Sequence, residues 1–169
     1  MTATKITAAS LTQSAGTGTT TLNGAVDTNT STGVSLATKN LAVNASITTS
    51  NNGTVTFSES GKITIAAAGA ITADGAESLT ATSGISTAGN ITTSSDNISL
   101  NSATTLTGAV AITTANGNVN FASTVDGGND LSINAGSGDV TFSKAVGGTS
   151  RLGKLSIADA HDVAAVTVT

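Results

Sequence analysis

The sequence predicts an all-β chain wound as a single-stranded parallel β-helix, a β-solenoid of about eight coils of ~21 residues. Three observations carry that prediction. First, the segment I-T-T-A-N-G-N-V-N-F (Ile112–Phe121) is echoed by I-N-A-G-S-G-D-V-T-F (Ile133–Phe142), so Gly117 maps to Gly138, Val119 to Val140 and, further on, Val125 to Val146. Second, apolar residues alternate with polar ones inside each repeat, the period of a half-buried strand. Third, the composition suits stacked strands: no Pro, a core of Val, Ile, Leu, Ala and three Phe, and no Trp or Tyr.

The repeat extends across most of the chain as columns. One runs Leu36, Phe57, Leu79, Leu100, Phe121, Phe142, Val163; a second Ile71, Ile91, Ile112, Ile133, Leu155. A third runs Leu41, Ile63, Ile85, Leu106, and a shorter one Leu22, Val43, Ile65. A β-sandwich also has many short strands, but it gives no reason for a column to recur at a fixed interval. Eight coils at ~4.8 Å per coil predict a rod roughly 38 Å long. Parallel crossovers favour a right-handed winding.

In chain order, the first stretch is the least regular. Ile6, Leu11, Leu22 and Val26 are apolar, but Gly16–Thr21 (G-T-G-T-T-T) is loosely patterned. From Val34 the strands are clear: Val34-x-Leu36, Leu41-x-Val43, Val55-x-Phe57, Ile63-x-Ile65, Ile98-x-Leu100, Val119-x-Phe121, Leu131-x-Ile133, Val140-x-Phe142 and Leu155-x-Ile157. Between them stand Asn52-Gly53, Ser60-Gly61, Asp74-Gly75, Gly89-Asn90, Asp96-Asn97, Asn116-Gly117 and Gly136-Ser137-Gly138-Asp139. These residue types tolerate the positive φ that tight corners require. Thr56, Ser99, Asn120 and Thr141 are predicted to face outward as polar ladders. The last repeat, Thr149–Thr169, is atypical and holds Arg151, Lys154 and the only His, His161. Residues 1–169 thus read as one repeat array, and the absence of a capping helix suggests a segment of a longer chain. Open coil ends template strand pairing, so end-to-end self-association is expected. Charge near the C-terminal end predicts that the N-terminal end is the stickier.

Composition bounds the function. Charged residues make up only 9% of the chain and the net charge is −4, which argues against disorder and offers no cationic patch to nucleic acid or an anionic membrane. Without Cys there is no disulfide framework and no thiolate metal site. No apolar run reaches the ~20 residues of a membrane helix, and Met1–Leu11 lacks the pattern of a signal peptide.

The segments Leu11–Thr28 (L-T-Q-S-A-G-T-G-T-T-T-L-N-G-A-V-D-T) and Gly128–Ile157 resemble the filamentous-haemagglutinin-type β-solenoid repeats of very large exported bacterial adhesin-like proteins. The resemblance is one of repeat style over essentially the whole chain. It implies an extracellular or cell-surface location and an elongated, structural or adhesive role. It carries no site residues.

Candidate chemistry is thin. β-Helical glycan lyases and hydrolases need clustered carboxylates; most of the ten acidic residues fall at predicted corners, with Asp74 and Glu77 near enough to share a face. Exposed Trp or Tyr for sugar packing is absent. Calcium is the better ligand candidate: the Gly-rich stretches holding Asp130 and Asp139 are similar to a calcium β-roll. Yet Asn118 and Asn97 precede Asp139 at the repeat interval, and an asparagine ladder explains the corner without metal. His161, flanked by Asp159 and Asp162, is a lone imidazole and a weak metal site. Lys144, Arg151 and Lys154 form a small basic end. There is no G-x-S-x-G elbow, and the G-T-G-T-T-T tract lacks the lysine of a phosphate loop. Thr72, Thr92 and Thr113 fall in one column and Thr93 and Thr114 in another, a regularity found on ice-binding faces; Asn134 and Ala135 break it. The sequence therefore predicts a non-catalytic stalk or spacer with no obligate cofactor. The alternative is a binding module whose exposed face recognises a glycan, ice or a protein partner.

Overall fold

The structure, a computed structural model, describes residues 2–169. All regular secondary structure among them is strand, twenty-three short segments wound in one direction. Each circuit of the chain lays strand on three faces, as three separate strands except near the C-terminal end, where Val140–Val146 and then Val163–Val168 run continuously from the third face onto the first. The first face stacks Thr19–Leu22, Asn40–Val43, Ile63–Ile65, Ile85–Thr87 and Thr104–Leu106. The second stacks Val26–Thr28, Ile47–Thr49, Ile71–Ala73, Ile91–Thr93, Val110–Thr113 and Leu131–Asn134. The third stacks Val34–Leu36, Val55–Glu59, Glu77–Ala81, Ile98–Leu100, Val119–Phe121, Val140–Val146 and Val163–Val168. Every pairing is parallel and joins residues one circuit apart, for example Ile98 to Val119 and Val119 to Val140. Parallel neighbours need a long crossover between them; here the rest of the coil is the crossover. The chain is thus the predicted single-stranded parallel β-helix.

The alternation seen in the sequence sets which side chains enter the core. Ile63 and Ile65 are fully buried while Thr64 between them is exposed. Val119 and Phe121 are buried, and the Phe121 and Phe142 rings stack with centroids 4.9 Å apart and planes 10° from parallel. Leu36, Phe57, Leu79, Leu100, Phe121 and Phe142 are successive pairing partners, as predicted.

Three predicted columns end on the wrong residue. Phe142 pairs with Ala165, not Val163, and Ile133 pairs with Ile157, not Leu155. The last circuit is longer than the one before it: Val140 meets Val163, 23 residues on, whereas Val119 meets Val140 after 21. The added residues sit in the irregular stretch 147–154, and register shifts follow Ile133 and Phe142. In the third case the circuit is short. Ile85 pairs with Thr104 after 19 residues, so a threonine takes the core position and Leu106 falls beside Thr87.

Corners are tied by side chains as well as by backbone. Thr49, Thr93 and Thr114 end strands of the second face or follow them directly, and all three are buried. Each hydroxyl donates to a carbonyl three or four residues on: Gly53, Asp96 and Gly117 respectively. Asn51 and Asn52 adopt left-handed backbone (φ 57° and 58°), as does Gly136 (φ 59°). A Cβ at Gly136 would run into the carbonyl of Ala115 in the coil below, so only glycine fits there.

The C-terminal end carries exposed apolar surface. Among the described residues the large apolar side chains left exposed are Val163 (52%), Val166 (69%) and Val168 (55%), all on the last strand. The charges near this end, Lys144, Arg151, Lys154, Asp159 and Asp162, precede that strand, which carries none itself.

Candidate functional site

The sequence candidates scatter over the surface with one exception. Asp130 sits just before Leu131 of the second face, and a Cβ at Gly153 would run into its Oδ1. Asp139 sits just before Val140 of the third face. Asp130 does not join the cluster that forms around Asp139. Lys144, Arg151 and Lys154 are exposed. Asp74 and Glu77 do not share a face. Asp74 accepts a hydrogen bond from the Asn52 N–H at 2.8 Å at a corner, while Glu77 points into the core.

The exception joins two coils. Asp139 Oδ1 lies 3.0 Å from His161 Nδ1, and Asp162 Oδ2 lies 3.5 Å from the same nitrogen. One ligand atom from each of the three residues lies within 4.8 Å of the other two. Asp139 is half-buried and the other two residues are exposed. The hydrogen bond to Asp139 holds the His161 imidazolium form above its usual range, helped by the charges of Asp162 and Asp139. Two carboxylate oxygens and one ring nitrogen this close together can coordinate a divalent ion. Sequence proximity links His161 to Asp162 but not to Asp139. Only the coil interval brings Asp139 in, and the Asn97, Asn118, Asp139 column carries that signal.

Sequence reasoning does not foresee that two carboxyls, those of Glu77 and Glu59, are buried in the core. Glu77 is 1% exposed, occupies the core column between Val55 and Ile98, and neither of its oxygens has a hydrogen-bond partner. Burial alone pushes its pKa up to about 8. Glu59, on the preceding coil, is also buried. Its Oε2 accepts the Thr38 N–H at 2.6 Å, its Oε1 has no partner, and burial outweighs that bond to raise its pKa. Both residues occupy inward strand positions, where the corner rule for acidic residues does not apply.

The threonine ranks are half as predicted. Thr48, Thr72, Thr92 and Thr113 pair in succession and lie on the outside of the second face. Asp27 and Asn134 bound the row. Thr93 and Thr114, expected in a second outward rank, point inward, because alternation places the residue after an outward threonine in the core. A shallow groove beside the row is lined by Thr49, Ser50, Thr72, Asp74, Thr92 and Ser94 among others.

Among the described residues no helix is long and apolar enough to cross a membrane. Comparisons with protein-family models, curated proteins and solved structures found no match to this chain.

Proposed function

We propose that this segment is a non-catalytic spacer, a stalk of stacked coils in a large exported or cell-surface adhesin-like protein. One observation carries the reading: the polar surface groups bond along the rod axis. Asn40 accepts the Lys62 N–H (3.0 Å), Asn90 the Ala111 N–H (2.9 Å), and Asn44 donates to Asn23 (2.8 Å), each one circuit away. Side chains used in this way reinforce coil-to-coil stacking. The adhesin-like context rests on the repeat style of Leu11–Thr28 and Gly128–Ile157.

The outward row Thr48, Thr72, Thr92, Thr113 favours a second reading, a binding face for a glycan, ice or protein surface. A glycan array and a thermal-hysteresis assay on the segment separate the two. A spacer gives no specific signal. A signal abolished by Thr92→Lys establishes the binding face and removes the spacer reading. Self-association belongs to the spacer reading and is assigned to the edge of Val163–Val168. Sedimentation over a wide concentration range should show association that Val166→Lys suppresses; a wild type that stays monomeric refutes that assignment.

A further inference from the structure

The corner leading into the third face carries one column through successive coils: Asn97, Asn118, Asp139, Asp162, each standing just before a paired strand residue. In its first two steps the column is a neutral amide ladder. Asn97 Oδ1 accepts the Asn118 N–H and Asn118 Oδ1 accepts the Asp139 N–H, both at 2.8 Å. Such a step can repeat without electrostatic cost. At Asp139 the amide becomes a carboxylate, and the next member of the column is a second carboxylate. Like charges stacked on neighbouring strands repel. Between them stands the only histidine of the chain, and Asp139 Oδ1 lies against its Nδ1.

We propose that Asp139 Oδ1, His161 Nδ1 and Asp162 Oδ2 form a three-ligand site for a divalent transition-metal ion of zinc type, which fastens the last coil to the one before it. Zinc bonds nitrogen and oxygen at about 2.0–2.2 Å in tetrahedral geometry, which sets ligand atoms roughly 3.3 Å apart. The two separations from the imidazole nitrogen, 3.0 and 3.5 Å, bracket that value, and ligand atoms of the two carboxylates lie within 4.8 Å of each other. The exposed flank leaves the fourth position to water or to a ligand from outside. Calcium fits poorly: it takes about 6–8 oxygen ligands at longer distances, and a ring nitrogen selects zinc, copper or nickel. The metal reading thus moves from the Asp130–Asp139 pair and calcium to an Asp–His–Asp set and zinc. Its consequence falls on Val163–Val168, the strand that begins directly after Asp162 and has a neighbour on one side only.

The test is calorimetric titration of the whole chain with zinc chloride and, separately, calcium chloride, with hydrogen exchange followed over residues 163–168. One zinc per chain, no saturable calcium heat and slower exchange of that strand are expected. Asp139→Asn extends the amide ladder and so keeps the fold, yet it should lose saturable zinc binding, as should His161→Ala. Asp130→Asn should bind zinc as the wild type does. Absence of saturable zinc heat overturns the site, and so does zinc binding that survives His161→Ala or is matched by calcium. Zinc that binds without slowing exchange in 163–168 overturns the fastening role.

Discussion

Strands Glu77–Ala81 and Val119–Phe121 occupy equivalent positions on the third face, two coils apart, and solve the same packing problem differently. Val119 and Phe121 fill the core with hydrocarbon, and Phe121 stacks on Phe142. At the position equivalent to Val119, the earlier strand buries a carboxylic acid with no partner for either oxygen. The backbone ladder is uninterrupted through both. Register in a solenoid is therefore held by the neighbouring coils, and a single coil can carry a group that opposes folding. Stability is local, a sum of coil and interface contributions, so the two regions should respond separately to substitution.

The largest effect should come from the well-packed region. Phe121→Ala removes a buried ring and should destabilise by about 3–5 kcal/mol, read as a fall in melting temperature and faster hydrogen exchange around residues 98–146. Uniform loss of protection over the whole chain would show that the coils do not respond locally. At the opposite strand the sign reverses: Glu77→Val should stabilise by about 1–3 kcal/mol at neutral pH, the cost of burying a polar group without partners.

The same residue predicts a pH dependence. Its pKa rises from 4.5 in the unfolded chain to about 8 in the fold, so the folded state keeps a proton that the unfolded state releases. Stability is then greatest below pH 4.5 and declines as pH rises to 8, by up to ~1.4 kcal/mol per pH unit. Glu59, whose pKa is also raised, adds a decline of the same sign. Thermal melts between pH 4.5 and 8 should slope downward for wild type and less steeply for Glu77→Val. A flat wild-type profile would mean that Glu77 has water or a partner at hand.

A smaller effect is expected at the corners. Thr114→Val keeps the shape but removes the hydroxyl that donates to the Gly117 carbonyl, and should cost about 1 kcal/mol. The smallest belongs to Asn120→Ala on the outward side of the Phe121 strand, within about 0.5 kcal/mol. A cost at Asn120 equal to that at Phe121 would invert the assignment of inside and outside.

The repeat itself was legible because hydrophobic columns survive in one-dimensional form: Phe57, Leu79, Leu100, Phe121 and Phe142 are spaced by their stacking partners. Three kinds of information were not. Buried Thr104 has a polar name but satisfies its hydroxyl on the Ser102 carbonyl, so hydropathy steered the column to Leu106 instead. Sequence proximity pairs Glu77 with Asp74; only its inward strand position places it in the core instead. The drift from Val163 to Ala165 came from extra residues in one loop, which pattern matching absorbs silently. The Asp139–His161–Asp162 cluster was half visible, since each acid was noticed separately but the coil interval that joins them was not applied.

Every strand partner in this chain lies between 19 and 25 residues away, whether at its beginning or its end. The entropy lost in closing a loop depends on its length, so the eighth circuit closes at the same cost as the second. Lengthening such a chain adds circuits without adding any longer-range search, and its relative contact order falls as it grows. A coil needs only the coil before it as a template. The polypeptide can therefore fold progressively from one end, each finished turn offering its open edge to the residues that follow.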